Sequence, residues 1–192
     1  MCPMEEQSGV VFGLFGHSGK QAAVDALRVA ITFLEQREIP FLVDEDIAAL
    51  LPFTLDDESV GALAPRATIA READFVITFG GDGTMLAAIQ ATLPFDTPVL
   101  GVNLGKLGFL ADVGADEALW AIEQILESRH TVERRMTLTG RIGGTGQEFH
   151  ALNDIVVGKS GTARVISIDA YVNGDFLASF LADGIIISTP TG

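Results

Sequence analysis

Residues 80–84 read Gly80-Gly81-Asp82-Gly83-Thr84, and their flanks restrict what such a run can become. Before it lies Asp74-Phe75-Val76-Ile77-Thr78-Phe79, a short apolar, β-branched and aromatic stretch of strand character. After it lies Met85-Leu86-Ala87-Ala88-Ile89-Gln90-Ala91, a good helix former. The glycines therefore fall on a strand-to-helix turn, where backbone N–H groups and the positive helix end favour an anion. Gly-Asp-Gly is also a common turn, and a lone match would fit that reading as well as a functional one. Asp82 is the unusual member, because bound phosphate repels a carboxylate that has no task. The task that fits is accepting a proton from an attacking hydroxyl while the loop holds phosphates, as in phosphoryl transfer.

The alternation continues on both sides of this turn. Residues 10–15 read as a buried strand, followed by a helix with Val24, Leu27, Ile31 and Leu34 on one face. Residues 41–43 and 97–102 are further strand candidates, and an acidic patch at Asp44-Glu45-Asp46 follows the first. Residues 47–65 are ambiguous, with Pro52 and Pro65 interrupting apolar clusters. Residues 115–129 read as an amphipathic helix, with Leu119, Ile122 and Leu126 inward and acidic residues in its first turn. Strands alternating with helices predict a parallel sheet covered on both faces.

The pattern changes after His130. From Arg134 onward no helix is expected, and strand-like pieces occur at 136–142, 150–152, 155–157 and 165–172. Asn173-Gly174 is a two-residue hairpin signal joining 165–172 to 176–180. The fold class is thus α/β, with a parallel-sheet domain over 1–130 and a β-rich, sandwich-like domain beginning at 131.

Composition narrows the class of partner. A net charge of −14 argues against a broad nucleic-acid surface or an anionic membrane. Any phosphate site must therefore be local. No apolar segment is long enough to span a bilayer, and the acidic start lacks a signal-peptide pattern. Cys2 is the only cysteine, so no intrachain disulfide forms and a reducing, cytoplasmic setting is expected.

Four other places hold candidate residues. The glycine-rich run 101–110 follows a strand; it is either a permissive loop or part of a site, and Phe109 either core or pocket wall. Asn153-Asp154 interrupts two β-prone pieces, as a turn or as a hydrogen-bonding pair for a base edge and ribose. Lys159 and Arg164 flank Ser160-Gly161-Thr162, as a solvated pair or a phosphate contact. Asp183-Gly184 leads through Ile185-Ile186-Ile187 into Ser188-Thr189-Pro190-Thr191-Gly192. Other constellations fail. The run from Gly13 to Lys20 has one residue too many for a P-loop, and Gln21 stands where a hydroxyl residue is needed. His17, His130 and His150 lack metal-ligand spacing, and no nucleophile elbow is present.

Taken together, Gly80–Thr84, the run 101–110, Leu152-Asn153-Asp154 and the run 183–192 closely resemble, in order, four motifs of the NAD kinase family. The resemblance implies an N-terminal α/β domain, a β-rich C-terminal domain and an active site between them. The reaction it implies is transfer of the γ-phosphoryl group of ATP, with a divalent ion such as Mg2+, to the adenosine-ribose 2′-hydroxyl of NAD. Asp82 matches the family's general base, and Gly80, Gly81, Gly83 and Thr84 its phosphate loop. Asp82, Gly83, Phe109, Asn153, Asp154, Arg164, Asp183 and Thr191 match NAD-contacting positions; at Asp154 many members carry Glu. The resemblance further implies a homo-oligomer. Members continue past Gly192 with Ser-Thr-Ala-Tyr-Ser and more β structure, so the sequence reads as truncated within the second domain. A lipid kinase shares the first motif, and a catalytically inactive NAD-binding module is the reading from another class.

Overall fold

The computed structural model describes residues 9–17, 19–51, 59–105, 108–111, 113–160 and 165–192. The chain divides into two compact units, Met1–Val132 and Glu133–Gly192.

The first unit is built on six strands: β1 (Phe12–Gly16), β2 (Phe41–Asp44), β3 (Gly61–Ala64), β4 (Phe75–Gly80), β5 (Val99–Asn103) and β6 (Val113–Gly114). Every neighbouring pair is parallel, in the order β3-β2-β1-β4-β5-β6. Helices α1 (Gln21–Gln36), α2 (Glu45–Ala48), α3 (Arg66–Glu72), α4 (Asp82–Thr92) and α5 (Ala118–Leu126) join them. The continuous apolar runs follow from burial on both faces of the sheet. Successive strand residues alternate faces, so Leu14 joins one core cluster and Phe15 another. The larger cluster sets Phe12, Leu14, Ile77, Phe79 and Val102 against Leu27, Ile31 and Leu34 of α1 and Ile122 of α5. The smaller sets Phe15 and Val76 against Ile69 of α3 and Ala88 of α4.

Three features differ from the sequence reading. The first strand starts at Phe12 and runs on through Gly16. The fifth helix is shorter than 115–129, because Ser128 takes φ +53° and Arg129 N–H donates back to the Gln124 carbonyl at 2.8 Å. A left-handed residue with that backward bond ends a helix. Short α3 and two-residue β6 carry too little periodicity to be read from sequence.

Residues 133–192 form three antiparallel ribbons, β7 (Leu138–Arg141) with β8 (Glu148–Ala151), β9 (Asp154–Gly158) with β12 (Gly184–Ser188), and β10 (Ile166–Val172) with β11 (Asp175–Ala182). Asn173 and Gly174 turn the last ribbon with φ of +54° and +91°, the left-handed pair that a tight hairpin needs. Among the described residues no helix is long and apolar enough to cross a membrane.

Ile77 is wholly buried in the larger cluster. Ile77→Ala should cost about 2–5 kcal/mol of stability, whereas Val29→Ala on the exposed side of α1 should stay within about 0.5 kcal/mol. Urea unfolding of the two variants checks the difference.

Candidate active site

The strand order reverses at β1: β2 and β3 extend to one side of it, β4 to β6 to the other. In an open parallel sheet such a switch leaves a crevice beyond the carboxyl ends of the two central strands. Here those ends are Gly16 and Gly80, and the Gly80–Thr84 run leaves the second of them.

The run is less of a free loop than the sequence suggests. Helix α4 already begins at Asp82, with Gly81 as an extended N-cap that supplies no side-chain cap. Thr84 and Met85 N–H donate to the Gly81 carbonyl at 2.9 and 3.0 Å. A Cβ on Gly80 would lie 2.2 Å from Thr84 Oγ1, so only bare backbone lets the first turn of α4 sit on the strand. Gly81 and Gly83 have open space where a side chain would be. First-turn N–H groups lacking intrahelical partners are thus approachable from that side.

Asp82 faces the other way. Its Oδ2 accepts the Phe109 N–H at 2.9 Å and its Oδ1 the Leu110 N–H at 3.2 Å. Gly108 comes so close that a Cβ there would lie 2.1 Å from Oδ1. The β4–β5 register sets Gly80 opposite Asn103, and Asn103 Oδ1 accepts the Gly105 N–H at 3.0 Å to turn the chain. Two of the four motifs therefore meet at the Asp82 carboxylate. Phe109 takes part through its backbone. Its ring is 92% exposed, which excludes the core alternative and leaves it outside the cleft described next.

That cleft, of about 440 Å³, lies on the opposite side of the glycine run. Gly81, Gly83 and Thr84 form one wall, and His17, Lys20 and Arg66 face them. Among the described residues no carboxylate lines it. Sequence reasoning set aside the stretch around His17 and Lys20 because it is no P-loop, and passed over Arg66. The available signal was a glycine-bearing strand-to-helix turn at the end of β1, which a parallel sheet brings level with the one ending β4.

In the second unit the β9–β12 register places Ser188 opposite Asp154. Thr189 then binds back, its N–H to the Asn153 carbonyl at 2.8 Å and its hydroxyl to the Leu152 carbonyl at 2.5 Å. Thr191 N–H donates to Thr189 Oγ1 at 3.1 Å. Asn153, Asp154 and Thr191 are thus brought to one end of this ribbon, and the buried Asn153 Oδ1 has no partner among the described residues. Asp183 stands at the other end, where Gly184 pairs with Gly158, a strand length of roughly 15 Å away. It accepts the Lys159 ammonium at 2.8 Å. Arg164 lies outside the described residues.

These features define a doubly wound α/β unit with a glycine-lined cleft at its switch point and a carboxylate beside it. Residues 12–130 match the family described as the ATP-NAD kinase N-terminal domain. An NAD kinase of Azotobacter vinelandii is 36% identical over 187 residues, covering 94% of this chain and 60% of the relative. An NAD kinase of a Thermoanaerobacter species is 43% identical over 127 residues, 65% of this chain and 45% of the relative. The crystal structure of yeast NADH kinase complexed with NADH superposes with a TM-score of 0.84 at 25% identity, over 96% of this chain and 58% of the yeast chain. The chain belongs to the NAD kinase family, and it spans about 60% of the length of the Azotobacter relative.

Gly108→Ala should drive the Asp82 carboxylate off its two N–H donors. The expected result is at least tenfold faster amide exchange at Phe109 and Leu110, each bond to a charged acceptor contributing about 1.5–3 kcal/mol. Unchanged exchange would mean that the loop moves instead.

Proposed function

We propose that the protein is an ATP-dependent NAD kinase, moving the γ-phosphoryl group of ATP to the 2′-hydroxyl of the adenosine ribose of NAD. One observation carries this reading: a single helix start presents bare glycine backbone on one side and a fixed carboxylate on the other. Phosphates on the glycine side avoid the Asp82 charge, while an acceptor hydroxyl on the Asp82 side meets a base. Asp82 takes the hydroxyl proton, the oxygen attacks the γ-phosphorus, and the bond to the bridging oxygen breaks to release ADP. The names of the matched relatives support the same substrates.

In this reading Gly80, Gly81, Gly83 and Thr84 hold the donor, and Asn153, Asp154 and Thr191 contact NAD. The unpartnered, buried Asn153 Oδ1 supports that role, as a buried acceptor without a donor is costly. Asp183 and Arg164 remain assigned by motif alone. Mg2+ enters as part of the donor complex, neutralising phosphate charge. Among the described residues no group of three His, Cys, Asp or Glu side chains is placed to hold a resident ion. A cytoplasmic setting and a homo-oligomer belong to the same reading. The lone Cys2 supports the first, and exposed apolar residues on β11 and β12, such as Leu181 and Ile186, support the second.

In the full-length protein, Asp82→Asn should lower kcat about 10²–10⁴-fold with NAD affinity nearly unchanged. A variant within tenfold of the parent kcat would remove Asp82 from the reaction. Replacing Asn153 and Asp154 together by Ala should weaken NAD about thirtyfold and ATP by less than twofold, on the basis of about 1 kcal/mol for each of two lost hydrogen bonds. Isothermal titration of both ligands reads the split, and a loss confined to ATP would reverse the assignment.

A further inference from the structure

We propose that His17, Lys20 and Arg66 are the cationic half of the subsite that takes the donor's phosphate chain, and that buried Asp44 is the residue that positions Arg66. The inference rests on the kinase reading above and names side chains for its donor.

The chain carries 26 acidic and only 12 basic residues besides its three histidines. Against that background, two of the cations and one histidine converge on a single cleft from two separate stretches of the chain. His17 and Lys20 follow β1, and Arg66 opens α3. The wall opposite them is the open backbone of Gly81 and Gly83 with Thr84. Helix α1 also starts here, with Lys20 as an N-cap that supplies no side-chain cap. A cleft with donors on both walls, and no carboxylate among the described residues that line it, suits a run of several negative charges.

Arg66 is held as an arm. Its Nε donates to Asp44 Oδ2 at 2.6 Å, and its guanidinium carbon sits 5.6 Å from the centroid of the Phe15 ring. Asp44 ends β2 with only 2% of its surface exposed, and its Oδ1 also accepts the Asp46 N–H at 3.2 Å. A carboxylate fixed this firmly can orient a guanidinium. With Nε engaged, the two terminal nitrogens keep four N–H donors. Among the described residues these nitrogens make no hydrogen bond or ion pair of their own, whereas phosphate oxygens fit such a fork. At His17, Nδ1 accepts the Gly19 N–H at 3.0 Å. The proton of the neutral ring therefore sits on Nε2, leaving a donor for an anion. The shared ligand chemistry is a phosphate chain, whether free or carried by a nucleoside.

The test is calorimetric titration of the full-length protein, with Mg2+, against tripolyphosphate, ATP, adenosine and NAD. Lys20→Gln and Arg66→Gln should each weaken tripolyphosphate and ATP roughly tenfold, and move NAD by less than twofold. Asp44→Asn should weaken the same two ligands, and the double variant Asp44→Asn/Arg66→Gln should bind no worse than Arg66→Gln alone. That non-additivity is expected only if Asp44 acts through Arg66. Exposed Lys20 can be replaced without touching the core, so Lys20→Gln keeps the test valid should the Asp44 variant fold poorly. ATP and tripolyphosphate bound as tightly by Lys20→Gln and Arg66→Gln as by the parent would overturn the assignment. So would a parent that binds adenosine and ATP equally but ignores tripolyphosphate. Because these titrations need no turnover, they stand apart from the Asp82→Asn experiment, and either can fail while the other holds.

Discussion

The parallel pairing of β1 with β4 is the constraint on which the candidate site depends. Five residue pairs, from Phe12 opposite Phe75 to Gly16 opposite Phe79, bring both strands to the same edge of the sheet. From there the chain departs into α1 on one strand and α4 on the other. The ladder is rigid because Phe12, Leu14, Ile77 and Phe79 are wholly buried beneath α1 and α5. Two helix starts consequently share one crevice. At Gly80 the absence of a side chain lets Thr84 settle directly on the strand. A larger residue would push the first turn away and take the glycine-lined wall of the cleft with it.

Charge is sorted on either side of that first turn. The Asp82 carboxylate is bound to the backbone of Phe109 and Leu110, while the cleft on the glycine side is lined by neutral and cationic groups. In the proposed reaction a base and a polyanion would then work at one helix start without facing each other directly. The same economy appears at Asp44. Burying a carboxylate is costly unless it is paired and hydrogen-bonded, and here Arg66 and the Asp46 amide meet both conditions. The pair holds the cation in place on a protein whose overall charge would otherwise repel phosphate.

The second unit is held differently. Two-stranded ribbons are marginal by themselves, and among its described residues only Leu152 and Thr189 are buried. Both belong to the corner where the end of β12 returns to Asn153. Thr189 uses its N–H to bond one carbonyl there and its hydroxyl to bond another, and its oxygen also accepts the Thr191 N–H. The candidate NAD-contacting end of the ribbon is thus also its most buried point among the described residues.

Local features were legible from residues 1–192 alone. The helix face of Val24, Leu27, Ile31 and Leu34, the Asn173-Gly174 hairpin and the strand-to-helix turn at Gly80 all arise from neighbours in sequence. Side-chain periodicity and backbone preference act over a few residues, so sequence by itself determined these. Asp82 was marked by its position among glycines, yet its direction was not, because that depends on the Phe109 and Leu110 amides delivered by β5. The convergence of His17, Lys20 and Arg66 was likewise invisible. Strand order and register join residues far apart in the chain, through packing that no short window contains. Only the tertiary structure decided which groups share a cleft.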